Sequence, residues 1–111
     1  LNAARTSAGL NSLSLNSQLN NSAAVQAVYN SEIGRLDHDS ANGDTVAIRV
    51  SAQGYQWGNV GENLLMNWTL DGHEAFDLWR NSPGHNANMM NENFTEIGLK
   101  KFFSVLMTKG I

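Results

Sequence analysis

The sequence predicts an α+β fold, with helices layered against a few strands. Three observations predict it. Apolar residues recur at helical spacing through the opening stretch, two short helix-start signals follow later, and strand-like alternation is concentrated at the end of the chain. The 111 residues are enough for one domain, 1–111, with a core of its own.

Leu1, Ala4 and Ala8 open the chain at helical spacing, and the pattern stops near Gly9. Leu15, Leu19, Ala23, Ala24, Ala27 and Val28 then repeat at three and four, which predicts a second helix. That helix should end at Gly34, a residue suited to a left-handed cap. A polar turn of Asp, Ser, Asn and Gly carries His38 just beyond it. Thr45 to Ala52 fits either a short helix or a strand. Gly54 to Gly61 reads as a loop rich in glycine and aromatics, and Glu62 to Trp68 as a short extended segment.

Asp71 and Glu74 have the spacing of a capping box, so a helix should start there with Ala75, Phe76 and Trp79 as its buried stripe. Ser82-Pro83 repeats the start signal, with Ser82 as N-cap and Pro83 at the first helical position. His85 then falls in the first turn of a short helix running through Met90. The positive end of that helix disfavours imidazolium, leaving the neutral ring that a ligand or base requires. Ile97, Leu99, Phe103, Val105 and Met107 alternate as strand residues do.

Composition removes several classes of function. The formal charge of −3 comes with no basic run beyond Lys100-Lys101, which argues against a nucleic-acid partner. The chain has no cysteine, so thiol catalysis, disulfides and cysteine-ligated zinc are all absent. No stretch has the length of a transmembrane span. Without an initiator Met or a signal peptide, the chain reads as a mature or trimmed segment. Glycosylation sequons occur at Asn20, Asn67 and Asn93, as expected by chance in an asparagine-rich chain.

The chemical lead is a constellation. His38 and His85 follow the ends of two apolar helix patterns, and Glu62 lies between them in Gly61-Glu62-Asn63-Leu64. Two histidines and a carboxylate at separated element ends are the raw material of a metal or acid–base site. His73-Glu74 does not make a zincin helix, because Asp77 stands where a second histidine would be needed. There is no Gly-x-Ser-x-Gly elbow, and Ser82 is better used as a cap. Trp79 belongs to the core stripe, Trp57 is the better candidate for a cleft wall, and Trp68 stays undecided beside its sequon.

The ordered set Leu1-Asn2-x-x-Arg5, Gly9-Leu10, His38-x-Ser40, Gly54-Tyr55, Gly61-Glu62-Asn63-Leu64 and Trp79-x-x-Ser82-Pro83-Gly84-His85, continued by Asn88, Phe94 and Ile97-Gly98, resembles the CAP superfamily. That superfamily comprises cysteine-rich secretory proteins, antigen 5 and plant pathogenesis-related 1 proteins. The chain is most similar to its short, cysteine-free SCP-like members. The resemblance implies a three-layer α-β-α sandwich around a small antiparallel sheet, with a central cleft and secretion from the cell. It also implies a tetrad of two histidines and two acids, of which His38, Glu62 and His85 would fill three places. The fourth is Ser82 here, so the tetrad is incomplete. The closing hairpin, with only Leu-Lys-Lys between Gly98 and Phe102, should be tight or altered.

From the resemblance, His38 and His85 are the metal-ligand candidates, with zinc or another divalent cation as the expected cofactor. Glu62, Asn63 and Ser82 are expected in the cleft, Asn63 to orient a neighbour and Glu62 as the candidate base. A binding module for a small-molecule, lipid, glycan or protein ligand is favoured over an enzyme. The alternatives are a sterol or lipid carrier and a metal-dependent hydrolase.

Overall fold

Six-residue and seventeen-residue helices open the chain, and the difference between them is their caps. The computed structural model describes residues 1–65, 72–100 and 104–110. Helix α1, Asn2–Ser7, has no side-chain cap. Helix α2, Ser17–Ile33, is capped by the Asn16 side chain accepting from Leu19 N–H, and it stops at Gly34 in the left-handed conformation with φ 69°. The two-residue strand β1, Ser14–Leu15, separates them. Thr45 caps α3, Val46–Ala52, which resolves the ambiguous segment as helix. Strand β2 is Trp57–Leu64, α4 is Gly72–Arg80 and α5 is Pro83–Met89, with β3 at Glu96–Lys100 and β4 at Ser104–Gly110.

One sequence reading needs correction. The expected loop over Gly54 to Gly61 is strand from Trp57 onward, because β2 pairs antiparallel with β4 from Trp57–Gly110 to Leu64–Ser104. Glycines that weaken a strand locally are tolerated once a full ladder of backbone bonds is available. The sheet is antiparallel except at β1, which the sequence did not reveal: it pairs parallel with β3 through Ser14–Glu96 and Leu15–Ile97. The strand order is β1-β3-β4-β2, so β4 pairs with both longer neighbours. Asp71, Trp68, the Asn67 sequon and Phe103 lie outside the described residues.

Alternation along the strands produces the three layers. Ile97 and Met107 face one core with Leu13, Ala75, Trp79, Met89 and Phe94, against α4 and α5. The opposite face meets Leu19, Ala23 and Val50 of α2 and α3, together with Tyr55. There the Tyr55 hydroxyl donates to Glu96 Oε1 at 2.6 Å and accepts from Thr108 Oγ1 at 2.7 Å. Burial and then the Glu96 carboxylate push the Tyr55 phenol above its ordinary range.

Two buried contacts lock the layers together. Arg5 is fully buried and, among the described residues, reaches no carboxylate; it donates to the carbonyls of Asn11, Met89, Asn91 and Phe94. It thereby ties α1 to the end of α5 and the approach to β3. Gly98 sits directly beneath α2, where an added Cβ would lie 2.1 Å from the Leu19 carbonyl carbon and 2.3 Å from Leu19 Cβ. Both obstacles belong to a helix that cannot step aside. Gly98→Ala should therefore cost about 3 kcal/mol or more in urea unfolding, and a change within experimental error would contradict this packing.

Candidate functional site

Neighbouring residues on a strand face opposite ways, and that fact divides the expected site. Glu62 points toward α2 and α3, whereas Asn63 points toward α5. The Glu62 side chain is 1% exposed, yet it touches His38, whose ring is 61% exposed: His38 Nδ1 and Glu62 Oε1 are 2.9 Å apart. The second carboxylate oxygen accepts from Arg49 Nη2, a guanidinium 3% exposed on α3. Burial lowers the Arg49 pKa, and Glu62, Asp39 and Asp44 hold it up. A guanidinium in such company stays charged, so Arg49 and Glu62 form a buried ion pair.

Because Glu62 Oε1 can only accept from the ring, His38 must carry a proton on Nδ1. Nε2 is then the nitrogen turned to solvent, a bare lone pair whenever the ring is neutral. The His38 backbone is held as firmly as its ring. Arg49 Nη1 donates to His38 O at 2.5 Å, and the buried Gln26 amide donates to Asp39 O at 3.1 Å and also to Asp37 O. Asn30 Oδ1 accepts from Asp37 N–H at 3.2 Å and from Gln26 at 3.0 Å.

On the other face, His85 stands in the first turn of α5 as expected, with Ser82 before it and Pro83 at the first helical position. Ser82 is the N-cap residue, but its hydroxyl makes no cap hydrogen bond; it lies 2.9 Å from His85 Nδ1. The His85 ring also sits 6.4 Å, centre to centre, from buried Trp79. Asn63 is fully buried, donates to His85 O at 3.1 Å and accepts from Asn88 at 3.0 Å. Both imidazoles are thus engaged at Nδ1.

His38 and Glu62 come together; His85 is held by a separate set of partners. Among the described residues, no three of His, Cys, Asp and Glu are placed to share a metal ion. Trp57 packs against the Leu19–Val50 core and donates to Ser51 Oγ at 3.0 Å. His73 lines a different feature, a groove of about 750 Å³ between α1, α4 and α5, walled by Leu1, Ala4, Ala8, Phe76, Arg80 and Met90 among others. Of the sequons, Asn20 is used to cap Leu99 N–H and its Ser22 is fully buried, whereas Asn93 is exposed.

Sequence reasoning missed Arg49, Gln26 and Asn30. Each is a polar residue on the buried face of its helix, at Leu19-Ala23-Gln26-Ala27-Asn30 and Arg49-Val50. A polar residue in an apolar stripe was the available signal. Arg49→Met should cost about 3–5 kcal/mol in urea unfolding because it strips a buried carboxylate of its cation. Arg49→Met with Glu62→Leu should recover most of that loss, and equal losses in the two variants would dissolve the pair.

Known proteins share this architecture. A family model described as the cysteine-rich secretory protein family matches residues 1–100. An uncharacterized Bacillus subtilis protein, YkwD, is 30% identical over 98 residues, covering 88% of this chain and 38% of its own length. The crystal structure of an extracellular Bacillus anthracis protein containing an SCP domain superposes with a TM-score of 0.90 at 27% identity, covering 97% of this chain and 37% of that one. An outer surface protein of Borrelia burgdorferi shares the fold at a TM-score of 0.89 and 22% identity, covering 99% of this chain and 86% of that one. The chain spans less than two fifths of the two Bacillus relatives. With its α-β-α layers, its buried Gly-Glu-Asn strand and the match along nearly its whole length, this chain belongs to the cysteine-rich secretory protein family, the CAP superfamily.

Proposed function

We propose that this domain is an extracellular ligand-binding module in which His38 is the group that meets the ligand. The extracellular setting follows from the family and from the description of the Bacillus anthracis relative. The observation that carries the binding reading is the exposed His38 ring held at Nδ1 by a buried, arginine-neutralised carboxylate. A carboxylate behind an imidazole fixes the tautomer and the ring orientation, as it does for metal-ligating histidines.

Zinc or another divalent cation matches a nitrogen so presented, but the surrounding donor set is thin. Glu62 is committed to Arg49 and His38, and the described residues build no three-ligand shell. A metal would be held by His38 Nε2, with solvent or a ligand completing its coordination; His85, expected as the second donor, is held by Ser82 and Asn63 on the α5 side of β2. The same commitment counts against the hydrolase reading, since a base must be free to take a proton. Zinc titrated into metal-stripped protein should bind weakly, and His38→Ala/His85→Ala should abolish the binding. Equal binding by both proteins would remove the metal reading.

The groove between α1, α4 and α5 favours a second reading, a sterol or lipid carrier. Its volume of about 750 Å³ and its Leu, Ala, Phe and Met lining suit an apolar body, with Arg80 and His73 available to a polar head. A fluorescent sterol or fatty acid should bind saturably to the double-histidine variant as it does to the wild type. Ala4→Trp, which fills the groove, should lose it; uptake unaffected by Ala4→Trp would place the lipid elsewhere.

A further inference from the structure

We propose that Gln26, with Asn30 and Arg49, is a positioning residue that fixes the His38 loop so that Nε2 is delivered outward. The inference rests on His38 being the ligand-facing group. Three consecutive carbonyls, at positions 37, 38 and 39, are each grasped from below by a buried side chain: Gln26 takes the first and third, Arg49 the second. Glu62 takes the ring above them. A surface histidine needs none of this to be stable, because an exposed loop can give its carbonyls to water.

Gln26 is a poor choice on grounds of stability alone. Its amide nitrogen carries two protons and is surrounded by three acceptors, Asn30 Oδ1, Asp37 O and Asp39 O. Its Oε1 is buried with no partner among the described residues, and so are Ser22 Oγ and Arg49 Nε. Turning the amide over does not help, since Oε1 would then face those three acceptors. A buried polar group that is only partly satisfied costs free energy that an apolar residue of the same length would not. A methionine would fill the same space between Ser22, Ala23 and Asn30. What methionine cannot do is hold two carbonyls on either side of His38.

The local charge adds a reason for holding this loop in one arrangement. Asp37 and Asp39 flank the histidine in sequence, Asp39 and Asp44 act on Arg49, and Arg35 lies 4.0 Å from Asp37 as an exposed cation. Left free, the loop would carry the ring among the acidic neighbours that flank it in sequence. Clamping the backbone commits it to Glu62 and keeps Nε2 available.

The test is the tautomer of His38, read from long-range proton–nitrogen NMR at a pH where the ring is neutral. Wild type should show the proton on Nδ1. Gln26→Met should keep its melting temperature, while the His38 signal moves toward the Nε2-protonated form and zinc affinity falls on the order of tenfold. Arg49→Lys, which keeps a donor near His38 O, should hold more of the Nδ1 form than Arg49→Met. An unchanged His38 tautomer in a folded Gln26→Met protein would overturn the proposal, as would a wild-type proton on Nε2. The tautomer is read without metal, so this result stands apart from whether zinc binds at all.

Discussion

A single carboxylate buried beneath two helices governs how this domain presents its chemistry. Moving a charge of that kind out of water is expensive, and only an opposite charge with good hydrogen bonding offsets it. Glu62 has both: Arg49 on one oxygen and His38 on the other. The pair draws α3 onto β2 and fixes where the chain leaving α2 must turn. The place of His38 and the burial of Gln26 both accommodate that one ion pair.

The arrangement also bears on what Glu62 can do in this chain. A glutamate reserved for a guanidinium serves as an anchor, and the histidine above it becomes the outward group. His85, resting on Ser82 and Trp79 across the strand, is organised by different residues. Ser82 fits this division, since its hydroxyl lies against His85 Nδ1. The groove between α1, α4 and α5 is built from the other core and shares none of these side chains.

Much of the fold was legible in the residues, for reasons that are local. Ser82-Pro83 and Gly34 are boundary signals that act over one helical turn, and each marks a real helix end; Asn16 and Thr45 cap helices too, but were not read as caps from the residues. Asn63, expected to orient a neighbour, donates to the His85 carbonyl and accepts from Asn88. Strand β1 was not, because two residues carry no period; only its pairing with Ser14–Glu96 and Leu15–Ile97 defines it. The start of β2 was hidden for a similar reason, its glycines being outweighed by the ladder to β4. Arg49 and Gln26 were invisible as site residues because their partners are distant in sequence: Glu62 for one, and the carbonyls beside His38 for both. Alternation along β2 likewise separates Glu62 from Asn63, and no residue count between His38 and His85 could have revealed it.

The most direct test is a crystal structure of the protein grown in the presence of zinc. It should show Arg49 and His38 Nδ1 still on separate oxygens of Glu62, with any zinc on His38 Nε2. Glu62 turned into the metal's coordination shell, with Arg49 displaced from it, would contradict the account at its foundation.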